Sequence, residues 1–169
     1  LLNIFLFFLV LNNIDSRRDL EEVVTVLILA TSAAALIGIV LYYLPQDLTV
    51  RLLSTLRILR YPSGSDVLRF VEDNPELPLR ATSTSIDPNV LGGLLGIVGA
   101  LAAPQLLAKD PLPLLHRGWR KGGINWLIAP ILAVMGICLL LTYSRAALGG
   151  LAVALLVIAL LRYRRLLLP

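Results

Sequence analysis

The chain has 169 residues, 57% hydrophobic and 15% charged, with a formal charge of +4 and a mean hydropathy of +0.83. A soluble domain has about 45–50% apolar and about 25% charged residues, and one this small cannot bury such a surplus, so a water-soluble globular fold is excluded and lipid is the fitting solvent. In a membrane chain basic residues gather at cytoplasmic helix ends, so the charge speaks of orientation and not of nucleic acid. Residues 1–11 are apolar but short of the roughly 20 a span needs, and they lack the basic start and small-residue cleavage site of a signal peptide. They read as the tail of a truncated transmembrane helix, and the chain as an internal piece of a longer one.

Four longer apolar segments follow, at residues 23–44, 89–107, 124–143 and 146–161. Each is expected to be a transmembrane helix, because lipid offers backbone N–H and C=O groups no partners. The last two, joined by Ser144-Arg145, read as a tight hairpin. The loop at 108–123 and the end at 162–169 carry the positive clusters, Lys109, His116, Arg117, Arg120 and Lys121 in the first and Arg162, Arg164 and Arg165 in the second. Both belong in the cytoplasm. The loop at 45–88 and the Ser144-Arg145 turn then fall outside. The segment 12–22 falls inside, although Arg17 and Arg18 there face four acids.

Within the outer loop, Arg51, Arg57 and Arg60 recur among leucines at helical spacing, the pattern of a cationic amphipathic helix lying in the membrane interface. Residues 61–65 break it, and a second short helix is expected around Asp66–Asp73 before Asn74-Pro75 ends it. The fold class is therefore all-α: a polytopic transmembrane bundle with an interfacial helix in a long outer loop. Gly92, Gly96, Gly99 and Ala103, and likewise Ala146, Gly150 and Ala154, read as faces for close helix packing, within the chain or against other membrane helices, in preference to a ligand groove. Pro104 and Pro130 are kink candidates.

Two polar clusters fall at the same outer face: Arg80-Ala81-Thr82-Ser83-Thr84-Ser85-Ile86-Asp87-Pro88-Asn89, and Thr142-Tyr143-Ser144-Arg145. Each offers hydroxyls and one guanidinium, whose planar fork matches phosphate oxygens, and a helix N-terminus adds its dipole. Simpler roles compete. Asp87 before Pro88 is a good helix cap, Arg145 at a helix end can snorkel as an interfacial anchor, and Arg80 is one of five loop arginines (51, 57, 60, 69 and 80) set against six acids. Tyr143, Trp126, Trp119 and His116 read as interfacial residues. Glu72, Asp73 and Glu76 read as solvated loop carboxylates. Cys138 is the one cysteine and His116 the one histidine, so no disulfide framework and no multi-imidazole metal centre is expected.

The two clusters in this order, separated by two spans and a basic loop, resemble the O-antigen ligase and polymerase superfamily. There an R-x-x-S/G-x-x-x-x-P-N stretch opens one membrane helix, and a T-x-S-R-G/A turn joins a later pair. The matching stretches here are Arg80–Asn89 and Leu141–Gly149, in the second half of the chain. The resemblance implies a metal-independent glycosyltransferase at the outer face of the bacterial cytoplasmic membrane. It would take glycan from a polyprenyl diphosphate carrier and pass it to a glycan or glycolipid acceptor, with no cofactor. Arg80 and Arg145 would hold the diphosphate, and Asn89, Thr142 and Ser144 would shape the pocket. The histidine that such enzymes are thought to use on the acceptor hydroxyl would lie beyond Pro169; His116, on the opposite side of the membrane, does not match it. Two other classes compete. A transporter would show ionisable residues deep in its spans, and none is present. A non-catalytic subunit would pack into a larger assembly through its Gly/Ala faces.

Overall fold

The computed structural model describes residues 14–56, 62, 64–107, 120–121, 124–125 and 128–162, with single positions at 4, 8 and 12. His116, Trp119, Trp126, Arg57, Arg60, Arg164 and Arg165 lie outside the described residues. So does most of residues 1–11 and of the loop at 108–123.

Helix α1 spans Arg17–Tyr43 and starts at a capping box. The Ser16 hydroxyl accepts the Asp19 N–H at 3.2 Å, and the Asp19 carboxylate accepts the Ser16 N–H at 2.9 Å, which satisfies two of the unpaired donors at a helix start. The charges that sit awkwardly in the sequence resolve here as neighbours one turn apart, Arg17 with Glu21 at 2.9 Å and Arg18 with Glu22 at 3.1 Å. The helix therefore begins six residues before the expected span. Leu44 caps its other end and Pro45 prevents continuation. Tyr42 and Tyr43 meet edge to face there, 5.1 Å between centroids.

The short helix α2, Gln46–Ser54, folds back on α1, where the Thr49 hydroxyl donates to Leu41 O at 3.1 Å. Thr49 and Leu53 are buried while Leu48 and Leu52 stay exposed. The helix expected at Asp66–Asp73 is not continuous. Two 3-10 turns, Gly64–Val67 and Val71–Asp73, take its place: Phe70 between them is extended and bridges Leu79, and Glu72 and Asp73 adopt left-handed backbone, φ 55° and 53°, which no α-helix accommodates.

Helix α3 covers Pro88–Ala102 and tightens into a 3-10 turn at Ala103–Leu106, where Pro104 ends the helix instead of kinking it. Helix α4 runs Ile128–Leu141. It is shorter than the predicted span because Ile124-Asn125 pairs as a two-residue antiparallel ribbon with Arg120-Lys121. Pro130 falls in the first turn of α4, where a missing N–H is harmless, so it causes no kink. Helix α5 is Arg145–Arg162.

Among the described residues the architecture is thus all-helical apart from that ribbon and a single antiparallel bridge between Phe70 and Leu79. Three helices, Arg17–Tyr43, Pro88–Leu106 and Arg145–Arg162, are long and apolar enough to cross a membrane; Ile128–Leu141 is apolar but shorter. Helices α1, α3 and α4 pack around a core that includes Ile28, Leu91, Leu95, Val98, Met135 and Leu139. The outward surfaces are apolar too: Val26, Val90, Ile97, Leu140, Val153 and Leu161 are each at least 60% exposed. Exposed apolar residues on α1, α3, α4 and α5 alike are what a membrane protein's surface shows.

The last two helices do not form the expected hairpin. After the turn at Thr142–Ser144, α5 leans on α3 and touches α4 little. Glycines on α3 explain the choice. A methyl placed at Gly92 would meet Ser144 Cβ, Ala147 Cβ and Thr142 Oγ1 at 3.0–3.2 Å, and one at Gly96 would meet Ala147 O at 3.4 Å, so the two backbones approach as only small residues permit.

Candidate functional site

The site is built at the end of the bundle where α1 stops and α3 and α5 start. While Thr84, Ile86 and Asp87 are exposed, residues 81–83 do not pass over the surface. They dip between the helices, with Ala81, Thr82 and Ser83 all buried. The Ser83 hydroxyl donates to Ala34 O at 2.7 Å, nine residues back from the end of α1, a depth of about 13 Å along that helix. Gly38 makes room, since a methyl there would meet Ser83 Cβ at 3.3 Å and Cys138 Sγ at 3.0 Å. Irregular backbone at such depth is tolerated only where protein surrounds it. The Ala81 N–H donates to Leu141 O at 2.8 Å, and every buried side-chain N and O among the described residues has a partner.

This plug fixes Arg80. Its Nε donates to Thr142 O at 2.7 Å and its Nη2 to Asn89 Oδ1 at 2.8 Å. One guanidinium therefore joins the start of α3 to the turn before α5, and the two sequence motifs meet in space. Asp87 caps α3, accepting the Asn89 N–H at 2.7 Å, which is the structural role its sequence suggests. Thr142 is fully buried, its hydroxyl donating to Leu139 O at 2.7 Å and accepting the Ser144 N–H at 3.3 Å. Ser144 is buried beside Gly92, and its carbonyl accepts the Leu148 N–H at 3.1 Å as α5 begins. Tyr143 between them takes φ 52° and stays partly exposed. Arg80, Asn89, Thr142 and Ser144 thus form one connected constellation.

Arg145 departs from the expected arrangement. It is exposed at the first position of α5 and is not on the wall of the cleft that Arg80 lines. That cleft, about 210 Å³, is bounded by Arg69, Phe70, Asp73, Arg80, Asp87, Pro88 and Asn89. The reason is helical geometry. With Ser144 turned inward against Gly92, the next residue lies about 100° round the axis and projects outward. The second guanidinium on the cleft wall is Arg69, which composition alone could not separate from the other loop arginines. One signal was available: Arg69 and Arg80 are equally far from the Asn74-Pro75 turn, as two facing strand residues would be.

The small-residue faces also divide. On α3, Gly92, Gly96 and Gly99 approach α5 as expected. On α5, Ala147 and Leu151 make the contact, whereas Ala146, Gly150 and Ala154 border an open groove of about 660 Å³ facing Gly93, Ile97 and Leu101. Within the chain, that second stripe therefore borders a gap and not a packed helix face. Asn89 lines both the polar cleft and the apolar groove, and Ser144 lines the groove beside it.

No family model, curated protein or solved structure matches this chain.

Proposed function

We propose that the intact protein is a multi-pass glycosyltransferase of the bacterial cytoplasmic membrane, moving a glycan from a polyprenyl diphosphate carrier to a glycan or glycolipid acceptor as O-antigen ligases and polymerases do. The observation that carries this reading is the junction at Asn89. A polar cleft with guanidinium groups and an apolar groove running along α3 and α5 both have Asn89 on their walls. An amphiphile with an anionic head and a long apolar tail fits both at once. In the proposed topology residues 45–88 and the turn at Thr142–Ser144 face outward, α4 crosses with its flanking residues, and α2 lies in the interface on Leu48 and Leu52.

In the transfer, the acceptor hydroxyl oxygen bonds to the anomeric carbon, that carbon's bond to the diphosphate oxygen breaks, the electron pair leaves on the diphosphate, and the hydroxyl proton passes to the released diphosphate or to water. Fixed cationic donors lower the barrier where that charge develops. Arg80 supplies them, held in place by Thr142 O and Asn89. The helix start at Pro88 adds a favourable dipole. Thr142 and Ser144 act from behind, fixing the turn that fixes Arg80. The test is equilibrium binding of undecaprenyl diphosphate to the full-length protein in nanodiscs, wild type against Arg80→Ala. Submicromolar to micromolar binding that the variant loses supports the reading; no binding by wild type removes it.

A second reading rests on α5, which buries none of its residues. A helix left so open on its outer face suits packing against a partner's membrane helices, as in a non-catalytic subunit. Stable co-purification with other membrane proteins, without binding of the carrier lipid, would favour it.

A further inference from the structure

Arg69 and Arg80 oppose each other across the short antiparallel pairing that closes the outer loop. Phe70 bridges Leu79, the Val71 N–H donates to Pro78 O at 3.1 Å, and the Arg80 N–H donates to Arg69 O at 2.7 Å. Residues directly opposite in such a pairing project to the same side with Cβ atoms about 4.5–5.5 Å apart, and like charges there repel. Neither guanidinium forms an ion pair with a carboxylate among the described residues. The ion pairs they contain are Arg17–Glu21 and Arg18–Glu22 on the first turns of α1, and the Arg69 guanidinium has no hydrogen-bond partner among them. Both arginines are half-buried, and both line the cleft. Two carboxylates, Asp73 and Asp87, share the wall; Asp87 keeps its charge while accepting the Asn89 N–H, but neither of them is in ion-pair contact with either guanidinium.

Two guanidiniums held side by side by their backbones, partly out of water and with a cavity in common, have no anion among the described residues in direct contact. Arg80 has part of its fork committed to protein acceptors, whereas that of Arg69 is uncommitted. We propose that Arg69 is the second arm of an anion clamp, and that together with Arg80 it holds two adjacent phosphate groups. Arg80 takes the phosphate nearer the α3 start, and Arg69 reads whether a second phosphate is there. This rests on the function proposed above and adds to it a device that distinguishes a polyprenyl diphosphate donor from a polyprenyl monophosphate.

The experiment compares equilibrium binding of undecaprenyl diphosphate, undecaprenyl monophosphate and inorganic diphosphate by the full-length protein in nanodiscs. Wild type, Arg69→Ala, Arg69→Lys, Arg80→Ala and the exposed-arginine control Arg51→Ala are measured together. Wild type and Arg51→Ala are expected to prefer the diphosphate lipid by about ten- to a hundredfold, the worth of one charge-assisted contact. In Arg69→Ala that preference should vanish while monophosphate binding stays near wild type; Arg80→Ala should weaken both. Arg69→Lys keeps the charge without the fork, and an intermediate preference there supports the clamp even where the alanine variant folds poorly. An unchanged preference in both Arg69 variants overturns the clamp and leaves the proposed function standing. Equal loss of both lipids in Arg69→Ala also overturns it, since a merely structural arginine would act so. Absence of any lipid binding by wild type removes clamp and function together. Inorganic diphosphate bound as tightly as the lipid, with the same dependence on Arg69, supports the clamp and takes the tail groove out of the reading.

Discussion

Gly92 and Gly93 are neighbours in the same helix with different surroundings, and a pair of alanine substitutions isolates what the α3–α5 contact is worth. A methyl at Gly93 meets nothing within 4 Å, whereas one at Gly92 meets Ser144 Cβ at 3.0 Å, Ala147 Cβ at 3.1 Å and Thr142 Oγ1 at 3.2 Å. Ordinary carbon contacts lie at about 3.5–4.0 Å, so the start of α5 must retreat by several tenths of an ångström. Two of the obstructing atoms are Cβ atoms fixed to backbone. The third is held by its bond to Leu139 O at 2.7 Å, so none can swing aside. Overpacking of this kind costs about 1–3 kcal/mol. Replacing glycine inside a helix returns roughly 1 kcal/mol at either position, and that gain cancels in the comparison. Gly92→Ala should therefore be about 1–3 kcal/mol less stable than Gly93→Ala, read from equilibrium unfolding of the full-length proteins in mixed micelles. Equal stabilities, or a more stable Gly92→Ala, would refute the close approach of α3 and α5 and with it the placement of Thr142 beside Arg80.

Ser83→Ala removes a buried hydroxyl whose acceptor, Ala34 O, belongs to a helix; about 1 kcal/mol of stability should be lost in the same unfolding assay. Gly150→Leu pushes a side chain into the groove beside α3, so binding of the long undecaprenyl diphosphate should weaken at least about tenfold while geranyl diphosphate is unaffected. Arg145→Ala deletes an exposed charge off the cleft wall. It should change undecaprenyl diphosphate affinity by less than about fivefold, the scale of a solvent-screened interaction, where Arg80→Ala abolishes it.

Much of the helical framework is legible because its causes are local. Apolar length marks the helices long enough to cross a membrane, Asp87-Pro88 marks the start of α3 through a cap and a preset φ, and Leu44-Pro45 marks the end of α1. The boundaries err where a neighbour overrides hydropathy. Helix α1 continues past its apolar part because a Ser16/Asp19 capping box and two one-turn ion pairs carry it into the polar region. Helix α4 starts late because Ile124-Asn125 pairs with Arg120-Lys121. Small residues at four-residue spacing are ambiguous in principle, since they permit either close packing or a gap. Leu151 reaching Gly99, with Gly150 turned away, decides between them, and spacing does not contain that choice. The meeting of the two polar clusters depends on a plug that inserts Ser83 against Ala34, a contact between residues 49 apart in sequence. Arg69 stayed hidden for a related reason, since its partner across the loop is set by a single bridge, Phe70 to Leu79.

The most direct test of a lipid-linked substrate seated across Asn89 is photo-crosslinking with a polyprenyl diphosphate that carries a diazirine midway along its chain, followed by peptide mapping. Labelling is predicted on the groove walls of α3 and α5, around Ile97, Leu101, Ala154 and Ile158, competed by undecaprenyl diphosphate and lost in Arg80→Ala. Labelling spread evenly over the exposed apolar surfaces, with α1 at Val26 and Val40 marked as strongly as the groove and with no effect of Arg80→Ala, would contradict it.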